Sequence, residues 1–157
     1  MQLEGSCHCG AVTYTVTAHE PVPFMRCYCS ICRKTAGSGG YAINLGADRR
    51  TLQVHGEEYL VVYQARLDGD QQSTGERNFC KRCGTALWLY DPTWPDLVHP
   101  HAGAVDTPLS RPPDVTHMML ASKPDWVDAH VRPADDTFDE YPTESLAEWH
   151  QRHRLGS

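Results

Sequence analysis

Nowhere in this chain do apolar residues run on for the roughly 20 positions that a helix needs to cross a bilayer, so no membrane-spanning role is expected. A basic face is missing too. Lysine and arginine total 14 against 20 acidic residues, a formal charge of −6, whereas a nucleic-acid-binding zinc module carries a cationic patch for phosphates. The start, Met1-Gln2-Leu3-Glu4-Gly5-Ser6, has neither a basic segment nor an apolar core of a secretory leader, which points to the reducing cytoplasm. Internal repeats and breaks in composition are absent as well. One domain over residues 1–157 is expected, large enough to bury a core of its own.

What the chain does have is clustered sulfur. All seven cysteines fall in three groups: Cys7 and Cys9; Cys27, Cys29 and Cys32; Cys80 and Cys83. Seven is an odd number for a disulfide framework, and cysteines one residue apart bridge each other only with severe strain. In a reduced compartment such clusters mean metal or catalysis. A redox pair at Cys80 and Cys83 competes with this reading, but the flanking sequence lacks the βαβ pattern of such enzymes. Cys7, Cys9, Cys80 and Cys83 would close one four-thiolate zinc site. Cys27, Cys29 and Cys32 would make a second with a coordination position open, as catalytic zinc sites have. Two zinc ions are thus expected. Arg33, Lys34, Lys81 and Arg82 adjoin the clusters and would offset their negative charge, or simply lie solvated.

The fold class expected is mainly β, with few short helices. Val12, Tyr14 and Val16 alternate with Thr13, Thr15 and Thr17 at the period of a half-buried strand. Further strands are expected over 58–65, over 85–90 with Ala86, Trp88 and Tyr90 on one face, and over 115–121. Gly10 and Gly84, each following a cysteine pair, suit the left-handed turn of a metal knuckle. A short helix is expected from Ser30 to Ala36, stopped by Gly37. The three prolines between Asp106 and Pro113 predict a loop. Ser145 and Glu148 form a capping box opening a helix through about His153.

Read in order, Gly5-Ser6-Cys7-His8-Cys9-Gly10, Cys27-Tyr28-Cys29-Ser30-Ile31-Cys32-Arg33-Lys34 and Phe79-Cys80-Lys81-Arg82-Cys83-Gly84 resemble the glutathione-dependent formaldehyde-activating enzyme family, which includes the centromere protein V-like domains. With Ala121-Ser122-Lys123-Pro124-Asp125-Trp126, the resemblance spans about residues 3–130. It implies a β-rich domain with two zincs, the four-cysteine one structural and the Cys27/Cys29/Cys32 one functional. It also implies joining of glutathione, or a similar small thiol, to formaldehyde or a related aldehyde, a carbon–sulfur lyase run in reverse. Where the family often has histidine between the middle cysteines, this chain has Tyr28.

A thiol entering the open position would be deprotonated there and attack the aldehyde carbon. Tyr28 and Tyr41 are the nearest acids for the resulting alkoxide, although tyrosines in such chains more often pack in the core. Arg33, one residue past the third cysteine, is the expected partner for a glutathione carboxylate. His8 is expected to point away from the metal. His99 and His101 would share one strand face, more simply as exposed residues than as ligands. The four tryptophans read most simply as core and surface cover. The competing function is a non-catalytic zinc module or thiol carrier, in which His55, His101 or His117 would complete the middle site.

Overall fold

The computed structural model describes residues 1–155. Its strands, in chain order, are β1 (Gln2–Ser6), β2 (Thr13–Thr17), β3 (Phe24–Cys27), β4 (Ala42–Asn44), β5 (Ala47–His55), β6 (Leu60–Tyr63), β7 (Glu76–Cys80), β8 (Ala86–Tyr90), β9 (Leu97–Pro100), β10 (Val115–Met118) and β11 (Asp136–Thr137). Seven of them form an antiparallel sheet in the order β1-β2-β5-β9-β8-β7-β6. The other four form a smaller sheet, β11-β10-β3-β4, in which β10 runs parallel to both β3 and β11. Two helices, α1 (Ser30–Ala36) and α2 (Leu146–Arg152), accompany them. The mainly β class is as the sequence leads one to expect.

The alternation read in β2 holds: Tyr14 and Val16 are buried while Thr13 and Thr17 face out. Tyr14 meets Trp88 edge-on at 5.2 Å, and Leu3, Val12, Leu45, Leu87 and Val98 fill the core around them. Each such aliphatic side chain contributes roughly 1.5–3 kcal/mol by leaving water. Two expectations need correction. The segment from Glu58 starts in a 3₁₀ turn, Glu57–Tyr59, entered through left-handed Gly56, and the strand runs only from Leu60 to Tyr63. The strand at Val115 stops at Met118, where Met119 turns left-handed and a 3₁₀ turn takes over. In β8, Leu87 is as deeply buried as Trp88, so both faces of this interior strand are covered. The capping box of α2 forms with both reciprocal hydrogen bonds, and the helix ends one residue before His153.

A buried polar chain locks the small sheet to the middle cysteine loop. The Tyr28 hydroxyl lies 2.8 Å from His117 Nδ1, and His117 Nε2 lies 2.9 Å from Asp135 Oδ2. His117 bridges the tyrosine hydroxyl and the carboxylate through its two ring nitrogens, with Nε2–H donating to Asp135,. Asp135 also accepts from the backbone N–H groups of Val115 and Arg132 and pairs with the Arg132 guanidinium. Burial would raise the Asp135 carboxyl, but these donors outweigh it and hold it well below the usual carboxylate range.

A carboxyl depressed by folding stabilises the protein above its unfolded pKa of about 3.9, and that stability is lost as pH falls towards the folded value. Asp135→Asn should therefore melt lower than the wild type at pH 7, and the gap should narrow as pH drops below about 4. Parallel melting curves for the two proteins over that window would contradict the assignment.

Candidate metal centres and the adjoining cleft

The first cysteine cluster is made by two turns of the same design. After Cys7 and Cys9, Gly10 takes φ 80°, and after Cys80 and Cys83, Gly84 takes φ 77°. Each turn closes with backbone bonds: Gly10 N–H to Cys7 O and Cys7 N–H to Val12 O, then Gly84 N–H to Cys80 O and Cys80 N–H to Thr85 O. Each also aims an amide at sulfur, Val12 N–H to Cys7 Sγ and Arg82 N–H to Cys80 Sγ, both at 3.3 Å. Such donors favour thiolate over thiol. The four sulfurs lie within 4.8 Å of one another, with Cys7–Cys9 at 3.6 Å and Cys9–Cys80 at 3.8 Å. A tetrahedron with metal–sulfur bonds of about 2.3 Å has edges of about 3.8 Å, so these residues fit a tetrahedral metal ion. Cys7 and Cys80 are buried in the main core, and Cys9 and Cys83 face solvent. His8 is exposed and lies outside both clusters, as expected. Lys81 and Arg82 are exposed and reach over the Tyr59 ring at 5.7 and 5.4 Å.

The middle cluster gathers Cys27 at the end of β3, Cys29 at the N-cap of α1 and Cys32 in its first turn. Their sulfurs also lie within 4.8 Å of one another, and among the described residues no histidine or carboxylate joins them. The Cys32 N–H donates to Cys29 Sγ at 3.3 Å. Donation from Cys27 and Cys32, aided by backbone N–H groups, lowers the Cys29 thiol to about 2, while the same sharing pushes Cys27 up. The candidates for a fourth ligand are engaged elsewhere. His117 is held by Tyr28 and Asp135, His101 by Asn44, and His55 is exposed at the end of β5.

Arg77 on β7 is a site residue that the sequence did not reveal. Its Nη1 donates to Cys32 Sγ at 3.5 Å and to Thr35 Oγ1 at 3.2 Å. Forty-five residues separate it from Cys32, and no local pattern marks it. Arg26 on β3 lies over the Tyr41 ring at 4.7 Å. Arg33 is half-buried on α1, and the Nε atoms of Arg26, Arg33 and Arg77 are all buried without a hydrogen-bond partner. Among the described residues none of the three pairs with a carboxylate. An acidic chain thus keeps three arginines free of carboxylates among the residues of this cluster and its neighbours.

Beside α1 opens a cleft of about 550 Å³, lined by Lys34, Thr35, Gly37, Tyr41, Ala86 and His101 among others. Lys34 lines it and Arg33 does not. Of the two tyrosines considered as acids, Tyr41 forms part of the wall, whereas Tyr28 is fully buried and hydrogen-bonded to His117, so it packs and orients rather than meeting a ligand. His99 and His101 depart from their expected exposure. His101 is buried and bonds Asn44 Oδ1 through Nδ1 at 2.9 Å, and half-buried His99 bonds the Leu45 carbonyl at 2.9 Å. Desolvation, reinforced by Arg77 and His99, lowers the His101 imidazole to about 4. Of the tryptophans, Trp88 and Trp149 are buried, while Trp94 and Trp126 are exposed.

Comparison with known proteins agrees with the arrangement of cysteines. The model of the family described as glutathione-dependent formaldehyde-activating enzyme matches residues 2–122. A protein of Halomonas elongata named "Putative glutathione-dependent formaldehyde-activating enzyme" is 60% identical over 152 residues, covering 97% of this chain and 96% of that protein. A crystal structure of a Rhodobacter sphaeroides protein, 29% identical, covers 71% of this chain and 93% of its own with a TM-score of 0.52. With the family's match running through all three cysteine clusters, the chain belongs to the glutathione-dependent formaldehyde-activating enzyme family.

Proposed function

We propose that this protein binds two zinc ions, one in each cysteine cluster, and joins glutathione or a similar small thiol to formaldehyde or a related small aldehyde. The product is the S-hydroxymethyl thiol, and the reaction is that of a carbon–sulfur lyase run in reverse. The observation that carries this reading is the middle cluster itself: three sulfurs and no fourth ligand among the described residues, with a cleft that none of the three cysteines lines opening along the helix that carries Cys32. The all-cysteine donor sets suit zinc, and reduced thiols suit the cytoplasm.

Zinc held by three thiolates would leave a position at which a thiol loses its proton readily. The chain's own residues do the rest. Cys27, Cys29 and Cys32 supply the ligands, and Arg77 offsets part of their charge through Cys32. Arg33, with no carboxylate partner of its own, binds a carboxylate of glutathione, and Lys34, also without one, is the alternative beside it. A purely structural zinc module would need a fourth ligand on the middle cluster, and the three histidines considered for it have other partners or positions.

The two sites should separate on mutation. The first ion ties residues 71 positions apart, and structural zinc contributes roughly 10–16 kcal/mol in small peptides, comparable to a whole domain's stability of about 5–15 kcal/mol. Cys83→Ser should therefore give unfolded or insoluble protein. Cys29→Ser should fold, lose one zinc of two by elemental analysis, and no longer form the hydroxymethyl adduct. A soluble Cys83→Ser protein with wild-type melting would contradict the structural role.

Arg33→Ala should leave the zinc content unchanged and weaken glutathione binding in a calorimetric titration. The expected loss is on the order of 1–3 kcal/mol, that of a charge-assisted hydrogen bond. Equal affinities would remove Arg33 from the site, and a loss confined to Lys34→Ala would assign the carboxylate to the lysine in the cleft.

A further inference from the structure

The reaction needs a proton to leave the thiol and another to reach the aldehyde oxygen, and neither tyrosine considered above does both. Tyr28 is sealed in the core, and Tyr41 stacks under the Arg26 guanidinium. His101 is the one histidine among the cleft-lining residues. Its placement follows from strand alternation. Ala42 and Asn44 project from the same face of β4, and Ala42 packs directly against Cys27 and Cys32. Asn44, two residues along that face, receives His101 Nδ1–H on its Oδ1, and Arg77, which donates to Cys32 Sγ, is also near enough to act on the His101 ring. A neutral imidazole with its proton on Nδ1 carries a lone pair on Nε2. That Nε2 has no protein partner among the described residues, and His101 forms part of the cleft wall.

We infer that His101, oriented by Asn44, is the proton-transfer residue of this site. The inference rests on the thiol–formaldehyde reading. His101 Nε2 takes the thiol proton, the sulfur electron pair forms the carbon–sulfur bond, and the carbonyl π pair moves to oxygen. The imidazolium then returns its proton to that oxygen, giving the hydroxymethyl thiol and neutral His101, with no further reactant consumed. The groups acting on the ring favour this sequence. Desolvation, then Arg77 and His99, oppose a lasting positive charge on it. The ring is thus uncharged before the thiol arrives. Negative charge developing on sulfur raises its basicity for the transfer, and the proton, once taken, passes readily to an alkoxide.

The test uses the zinc-loaded protein and two variants. His101→Gln retains an amide donor for Asn44 but cannot relay a proton, and His101→Ala opens space for added imidazole. Both should keep wild-type zinc content and glutathione affinity. The turnover number for hydroxymethyl-thiol formation should fall by about 10²–10⁴-fold, the usual range for an acid–base residue, with KM unchanged. Imidazole should restore part of the activity of His101→Ala. Independently of turnover, nitrogen NMR of the wild type should find Nε2 unprotonated and its resonance moved by glutathione. Undiminished turnover in His101→Gln, or a loss that imidazole does not restore together with an Nε2 resonance indifferent to glutathione, would overturn the inference. A wild-type protein that binds glutathione yet fails to turn over would instead overturn the functional reading on which it rests.

Discussion

Four sulfur atoms brought to tetrahedral contact from two ends of a 71-residue separation are the constraint on which the rest of the structure depends. Thiolates at 3.6–3.8 Å repel one another strongly unless a cation sits among them,. The backbone amides aimed at Cys7 and Cys80 show a site prepared for that negative charge. Convergence of the two knuckles joins the β1–β2 hairpin to the turn between β7 and β8. It also fixes the strand that ends in Cys80. Arg77 lies three residues earlier on that strand, with its guanidinium against Cys32. One cluster thus sets the position of the side chain that touches the other.

The middle cluster is held differently. Its three cysteines are local in sequence and close no long loop, so their geometry comes from a strand end, a helix N-cap and the buried Tyr28–His117–Asp135 chain. Each polar atom in that chain is paired, which matters because an unpaired buried donor or acceptor costs about 1–3 kcal/mol. Around the cluster the charged side chains contrast with those of the molecule as a whole. The chain carries −6, yet Arg26, Arg33 and Arg77 stand there without carboxylates. Their buried, unpartnered Nε atoms are the kind of group that an anionic ligand satisfies,. A neutral histidine set beside such cations suits chemistry in which charge appears only transiently.

Much of this was legible in the sequence because it depends on short spacings. The knuckles, their glycines, the helix from Ser30 to Ala36 and the capping box at Ser145 are fixed by neighbours within a few residues. Strand alternation at Tyr14 and Val16 carried for the same reason. What could not be read are pairings across the chain. Tyr28 meets His117 across 89 residues and Asn44 meets His101 across 57. Histidines at 99 and 101 look like exposed residues on an alternating strand until Leu45 and Asn44 cover them. The missed start of the strand near Glu58 has a local cause, since apolar residues alone do not disclose that Gly56 turns the chain into a 3₁₀ turn first.

The central claim is that the three-cysteine site speeds the joining of a thiol to formaldehyde. Formaldehyde and a thiol also combine unassisted, so the exchange rate at equilibrium reads catalysis as its excess over the rate in buffer alone. Carbon-13 exchange spectroscopy between formaldehyde hydrate and the S-hydroxymethyl carbon of glutathione measures that rate without a coupled enzyme. The account predicts that wild-type protein accelerates the exchange and that Cys29→Ser, folded and retaining the four-cysteine metal, does not. An exchange rate equal to that of buffer in the presence of fully zinc-loaded wild-type protein would contradict it.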